Sequence, residues 1–158
     1  MAFFRNLWFH LCGSVDTVCN HINKWTPEDI SSEAAIEESL YVYLCNHMKG
    51  HDIRRQFPYD RVRADILINE IVAIEIKLNL MSTIEFQRLI GQLETYARWG
   101  IQMIVLVVGQ IDMNLKSRVE ERLLSDWDDE ESARLIHKAV NANSHGKCNP
   151  IINRQDDQ

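Results

Sequence analysis

The sequence predicts a mixed α/β fold, in which one sheet lies between two layers of helices. A helical stretch precedes two strand-like runs, RVRADILI and IVAIEIKL, that are separated by a tight turn. A second helical stretch then leads into IQMIVLVV, which is nearly all apolar, as expected of a strand covered on both faces. A helix between a hairpin and a buried strand is typical of a crossover connection, so the last strand is predicted to be parallel to its neighbour.

Each element has its own local signal. Ile36, Leu40 and Leu44 repeat at helical spacing, Pro58 suits the rim of an edge strand, and Gly100 ends the helix that precedes IQMIVLVV. Acidic residues from 126 to 131 are interpreted as the solvated start of a last helix. The predicted helices are 32–48, 82–99, 112–124 and 130–140, and the predicted strands are 53–59, 61–68, 71–78 and 101–108.

Composition limits the class of protein. The chain has 158 residues, of which 46% are hydrophobic and 25% charged, so we expect one folded domain with a single core. A net charge of −6 argues against a surface coated in basic residues, although it leaves room for a local basic groove. Four scattered cysteines favour a reducing compartment, and we expect a cytoplasmic protein that does not enter membranes.

The chain is predicted to have three parts. Residues 1–27 are expected to form an N-terminal helical arm, with a break near Gly13. Residues 28–140 contain all the predicted sheet elements and form the main domain. Residues 141–158 are polar and are expected to form a flexible C-terminal tail.

The run IVAIEIK raises a question of charge, because it is predicted to be a buried strand. Alternate residues of a strand share a face, so Glu75 and Lys77 lie on one side and an aliphatic row lies on the other. A buried charge needs a partner, an ion or water. We therefore expect the face that carries Glu75 and Lys77 to line a cleft.

A second carboxylate, Asp65, lies on the preceding strand. A strict two-residue turn at Asn69-Glu70 would place Asp65 on the wrong face, whereas a three-residue loop or a bulge would bring it opposite Glu75. Two converging carboxylates repel each other, and a hard divalent cation such as Mg²⁺ or Mn²⁺ relieves that repulsion. The main-chain carbonyl of Ile76 offers a third oxygen, and Lys77 would orient or deprotonate a water, or stabilise charge on a phosphate.

Asp65 followed at a distance by Glu75-Ile76-Lys77 resembles the signature of the PD-(D/E)XK nuclease superfamily. The resemblance covers roughly residues 32–109 and implies an αβββαβ, restriction-endonuclease-like core. It also implies that Asp65 and Glu75 bind Mg²⁺ and that Lys77 assists the attacking water. Ala64 stands where many members have proline.

A second motif lies on the helix after the hairpin. Gln92 and Tyr96, four residues apart on one helical face, resemble the Gln-x-x-x-Tyr motif of RecB-type exonucleases, which implies a role at the substrate. Arg88 lies one turn earlier on the same side, and Arg63 is a further candidate for phosphate contact. Family members also place an acid on the first helix as a metal ligand; Glu37 fits best, and Glu33 and Glu38 are rivals.

The expected function is that of a metal-dependent nuclease that hydrolyses phosphodiester bonds of nucleic acid, with DNA favoured over RNA. The alternative is a catalytically inactive module that keeps the fold for binding or assembly. A bare Glu-x-Lys occurs on many solvated strands, but here it stands in a buried strand between Asp65 and the Gln92–Tyr96 motif. A homodimer or a recruiting protein is expected to supply specificity, and the choice between endo- and exonuclease is left open.

Overall fold

A computed structural model describes residues 14–127 and 132–140. The chain alternates helices and strands much as the sequence predicts. The elements in order are α1 (Ser14–Lys24), α2 (Glu33–His47), β1 (Ile53–Tyr59), β2 (Val62–Ile68), β3 (Val72–Leu80), α3 (Thr83–Arg98), β4 (Gln102–Ile111), α4 (Met113–Trp127) and β5 (Ala133–Lys138).

The five strands form one mixed sheet in the order of the chain. Strands β1, β2 and β3 are antiparallel, and β3, β4 and β5 are parallel. Helices α1 and α2 cover one face of the sheet, while α3 and α4 cover the other, so each face has its own hydrophobic core. The predicted mixed α/β fold and its αβββαβ order are confirmed.

Helix α1 belongs to the predicted N-terminal arm, and it packs against the sheet. Val15, Val18 and Ile22 are fully buried in the same core as α2 and β3, and Trp25 is nearly so. Residues 1–13 and the predicted tail at 141–158 lie outside the described residues.

The prediction of a last helix at 130–140 is wrong. Residues Ala133–Lys138 form β5, which pairs in parallel with β4. Ala133 contributes to the core under α4 and Ile136 to the opposite core, so the alternation of a strand explains their burial. Asp126 lies in α4, where it forms an ion pair with Arg122, and not at a helix start.

The hairpin between β2 and β3 has the predicted three-residue connection. Ile68 pairs with Val72, and Ile66 pairs with Ile74, which is the register that brings Asp65 opposite Glu75. Asn69 and Glu70 both adopt left-handed backbone angles, with φ of 52° and 58°. The expected shift by one residue is thus confirmed, and it follows from the length of the loop.

Strands β1 and β2 bend together at Gln56 and Asp65. Ile66 belongs to the core under α2, but Ala64 belongs to the core under α3, so the alternation of β2 breaks between them. Gln56 stands opposite Asp65 between the pairs Arg55↔Ile66 and Phe57↔Ala64, and its φ is 49°. The bend predicted near Asp65 is confirmed, and it turns the end of the hairpin away from β3.

A bulge at Asn79 redirects the end of β3. Leu78 packs towards the α1–α2 core and Leu80 towards the α3–α4 core, and the pairing with β4 shifts between them. Asn79 has φ of 66°, and its Oδ1 accepts a hydrogen bond from the main chain of Gln110 at 2.7 Å. A Cβ at Gly109, whose φ is 99°, would lie 2.4 Å from that oxygen.

We expect Gly109→Ala to destabilise the protein by about 1–3 kcal/mol, because alanine meets both an unfavourable φ and the Asn79 side chain. Gly91→Ala is the matched control: Gly91 lies within α3, and an added Cβ there meets nothing within 4 Å. The control is expected to stabilise by about 0.5–1 kcal/mol. Urea unfolding of both variants checks the prediction, and equal midpoints would contradict it.

Candidate functional site

The site begins where β2 separates from β3. The last paired residues of these two strands are Ile66 and Ile74, and beyond them side chains take over the hydrogen bonds of β3. Asp65 Oδ2 accepts from the N–H of Ile76 at 2.7 Å, and Glu33 Oε1 accepts from the N–H of Leu78 at 3.0 Å. Two carboxylates thus lie along the edge of β3 that β2 has left.

The same edge presents a main-chain oxygen. In a strand, the N–H and the C=O of one residue are directed to the same side. Because the N–H of Ile76 is bonded to Asp65, the Ile76 carbonyl is directed to the gap beside Asp65 as well.

Glu75 is buried beneath α3, with 1% of its surface exposed. Its Oε1 accepts hydrogen bonds from Lys77 Nζ and from Gln92 Nε2, each at 2.7 Å, and its Oε2 lies 3.4 Å from the hydroxyl of Tyr96. Both residues of the Gln-x-x-x-Tyr motif therefore contact Glu75. The sheet face at Glu75 is covered by the helix, and it opens into a cleft at Lys77.

Burial raises the pKa of both the Asp65 and the Glu75 carboxyl group, so each ionises less readily than usual. Burial and the nearby Glu75 carboxylate raise the pKa of Asp65 to about 7, although the N–H of Ile76 and the charge of Lys77 act in the opposite direction. Burial also raises the pKa of Glu75, and Lys77 and Gln92 offset this only in part. Burial would lower the pKa of Lys77, but the neighbouring carboxylates, above all Glu75, outweigh burial and raise it.

Glu37 is buried on α2 but is held by cationic and amide partners. Its Oε1 accepts from Arg55 Nε at 2.7 Å, and its Oε2 accepts from Gln56. Arg55 also pairs with Glu38, and the Gln56 amide lies 3.3 Å from Asp65 Oδ1. Sequence reasoning missed Gln56, and only the register that sets Gln56 opposite Asp65 would have pointed to it.

The predicted three-acid ligand set of Asp65, Glu75 and Glu37 does not converge. Among the described residues, no group of three His, Cys, Asp or Glu side chains lies close enough to hold one ion. The physical reason is the ion pair with Arg55, which keeps the Glu37 carboxylate occupied. Asp65, Glu75 and the Ile76 carbonyl still fit a hard cation, because they are oxygen ligands and their two carboxyl groups repel each other.

A cleft of about 560 Å³ opens beside Lys77. Arg88 is exposed on its wall and forms no ion pair with another described residue, whereas no described contact joins Arg63 to the site. We call this cleft the site cleft. Its lining residues are Glu33, Val62, Lys77, Glu85, Arg88, Gly91 and Gln92.

Comparisons with known proteins leave the family open. No family model matches the sequence, and no curated protein matches it. Among solved structures, the chain is similar to SfsA from Pyrococcus furiosus in complex with Ca²⁺, with 15% identity and a TM-score of 0.42. The match covers 68% of this chain and 59% of SfsA, so the chain spans less than two thirds of that protein.

Across residues 14–127 and 132–140, no helix combines the length and the apolar character needed to cross a bilayer.

Proposed function

We propose that this chain is a metal-dependent nuclease that hydrolyses phosphodiester bonds of nucleic acid. The observation that carries the proposal is a pair of acids, the partly buried Asp65 and the buried Glu75, beside Lys77 at an open strand edge. Such a cluster costs folding free energy, because each buried charge loses its hydration. A catalytic use explains why it stands in the centre of the sheet.

Asp65, Glu75 and the Ile76 carbonyl are the residues that would hold Mg²⁺ or Mn²⁺. When bound, such an ion supplies Lewis acidity towards a phosphate oxygen and lowers the pKa of water. The pKa of Asp65, raised to about 7, supports this assignment, since a nearby positive charge would favour both ionised carboxylates. Glu37 is proposed to act through Arg55 and Gln56, which position the Asp65 side of the site.

Lys77 is proposed to act as a cation and not as a base. Its raised pKa keeps the ammonium group charged near neutral pH, so Lys77 donates hydrogen bonds to the attacking water or to a phosphate oxygen. Gln92 and Tyr96 are positioning residues, because they hold the Glu75 carboxylate from the α3 side.

Arg88 is proposed to bind a substrate phosphate. It lines the site cleft and is exposed, and guanidinium groups bind phosphate in a fixed, forked geometry. Arg63 remains a proposed phosphate contact. The resemblance to PD-(D/E)XK nucleases supports DNA as the substrate, and specificity is proposed to come from a second copy or a recruiting protein.

Labelled nucleic acids test the function directly. The protein is incubated with single-stranded, double-stranded and branched DNA and with RNA, in the presence of Mg²⁺, Mn²⁺ or EDTA. We expect cleavage of at least one substrate with either metal and none in EDTA. Retention of nucleic acid that is equal with and without metal, and without any cleavage, would favour the inactive binding module.

A further inference from the structure

An exposed apolar patch lies at the end of the sheet nearest the site cleft. Six large hydrophobic side chains are exposed among the described residues, and three of them belong to neighbouring segments here: Met81 at 52%, Ile84 at 64% and Met113 at 65%. Met81 follows the last residue of β3 and Met113 lies at the start of α4. We call Met81, Ile84 and Met113 the apolar patch.

Main-chain pairing places Met81 and Met113 close to each other, and the first turn of α3 adds Ile84. Leu80 pairs with Ile111, and the N–H of Asp112 donates to the carbonyl of Leu80 at 3.0 Å. Met81 follows Leu80 and Met113 follows Asp112, so the two methionines lie at neighbouring points of the main chain. Ile84 lies in the first turn of α3, three residues after Met81.

Helix α3 connects the apolar patch to the proposed catalytic groups. Ile84, Arg88 and Gln92 follow one another at intervals of four residues, so they share one side of the helix at steps of about 6 Å. Arg88 and Gln92 line the site cleft, and Gln92 also contacts Glu75. Along α3 the surface therefore changes from apolar at Ile84 to cationic at Arg88, and it then reaches Gln92, which contacts the acid Glu75.

The N-terminus of α3 does not compete for a phosphate along this route. Ser82 and Glu85 form a capping box: the Ser82 hydroxyl accepts from the N–H of Glu85, and the Glu85 carboxylate accepts from the N–H of Ser82. The Glu85 charge is therefore already placed at the helix start, where it would repel a phosphate. Arg88 is left as the cation between the apolar patch and Lys77.

We infer that the nuclease site proposed above takes a single-stranded substrate, with one unpaired base lying on the apolar patch and a neighbouring phosphate on Arg88. The inference rests on the proposed function and adds its substrate class. A base within a duplex has both faces covered by its neighbours, so only an unpaired base can offer its face to methionine and isoleucine side chains. Ile84 lies one helical turn before Arg88, which lines the site cleft, and this proximity favours a substrate strand over a separate protein partner.

Charge favours the same class of substrate. The chain carries a net charge of −6, which argues against the extended basic surface that non-specific binding of a long duplex uses. Lys77 and Arg88 offer two phosphate contacts at the site. For single strands this predicts a slope of about −1.4 in a plot of log affinity against log salt concentration.

The test compares two variants of the full chain. Ile84→Ser with Met113→Ser removes two of the three side chains of the apolar patch, and Leu124→Ser is the control because Leu124 is 50% exposed on α4. Binding of a fluorescent thymidine oligonucleotide and of a blunt hairpin is measured by anisotropy in EDTA, where no cleavage is expected. We expect the double variant to bind the single strand about tenfold more weakly and the hairpin unchanged, and the control to match the wild type.

Several outcomes would overturn the inference, and one of them separates it from the proposed function. If the wild type cleaves nucleic acid in Mg²⁺ but the double variant binds and cleaves single strands normally, the nuclease stands and the apolar patch is not a base-binding surface. If sedimentation shows that the double variant only dissociates a dimer, the patch binds a second copy instead. If the wild type neither cleaves nor binds any nucleic acid, the proposed function fails and the inference fails with it.

Discussion

Lys77→Met is expected to lower the rate of metal-dependent cleavage by about two to four orders of magnitude. Lys77 Nζ lies 2.7 Å from Glu75 Oε1, so its charge stands beside the proposed metal ligands. Preorganised charges at a phosphoryl centre contribute about this much in enzymes where one of them has been removed. Methionine keeps the apolar stem of the side chain, so the change removes mainly the charge.

Two further variants separate a chemical role of Lys77 from a structural one. Lys116→Met is the control, because Lys116 makes a single ion pair with Glu120 on α4, at 3.8 Å, and does not line the site cleft. Lys77→Arg is expected to keep more activity than Lys77→Met, since arginine retains the charge but cannot act as a base. Equal loss in both Lys77 variants would contradict the cationic role.

Asp65→Asn is expected to have opposite effects on stability with and without metal. In the absence of metal, the variant should be more stable than the wild type at pH 8, because it removes one of two mutually repelling carboxylates that are partly or fully buried. Asparagine can still accept the hydrogen bond from the N–H of Ile76. With saturating Mg²⁺ or Mn²⁺, the order should reverse, since the variant has lost a ligand.

The pH dependence of the wild type has a definite sign. Asp65 has a pKa of about 7 in the fold, against the ordinary value of 3.8, so between these values the folded state holds a proton that the unfolded state has lost. The free energy of unfolding without metal therefore falls as pH rises from about 4 to about 7. The difference between the two pKa values corresponds to at most ~4 kcal/mol. Asp65→Asn should flatten this dependence.

Metal is expected to stabilise only the wild type, by about 2.7 kcal/mol at a metal concentration one hundred times Kd. Thermal unfolding of the wild type and of Asp65→Asn at pH 5 and pH 8, with and without Mg²⁺, measures the effects of pH and of metal on stability. Asp60→Asn is the matched control, because Asp60 is exposed at the β1–β2 turn with φ of 48°, an angle that asparagine also accepts. If the melting temperature of the wild type changed with neither pH nor metal, this would contradict the proposed ion site.

Local patterns identified most of the fold correctly, but one element shows where they fail. The helices that were predicted well have apolar residues at helical spacing or clear caps, such as Ser82 with Glu85 in α3. The residues of β5 are too few to define a period. They form a strand because the free edge of β4 offers parallel pairing, and a short sequence window does not contain that partner.

The residues of the candidate site and the third acid, Glu37, illustrate the same division. Asp65, Glu75 and Lys77 were found from the sequence, since charges within an apolar strand are conspicuous. The sequence left Glu37 open between a metal ligand and an ion pair, because Arg55 and Gln56 reach it from another strand. Contacts between elements distant along the chain depend on how the sheet bends, and the bend at Gln56 is visible only in its backbone.

The sequence by itself determined the αβββαβ order and the acids and lysine of the candidate site, because each rests on residues within one or two neighbouring elements. It left a three-residue loop or a bulge open for the β2–β3 register. Only the tertiary structure decided that Gln92 and Tyr96 hold Glu75, that Glu33 bonds to the edge of β3, and that Met81 and Met113 follow neighbouring points of the sheet. The physical reason is packing. Helix α3 crosses over the sheet, and the bulge at Asn79 directs the end of β3 towards it, so side chains far apart in the chain come within hydrogen-bond distance.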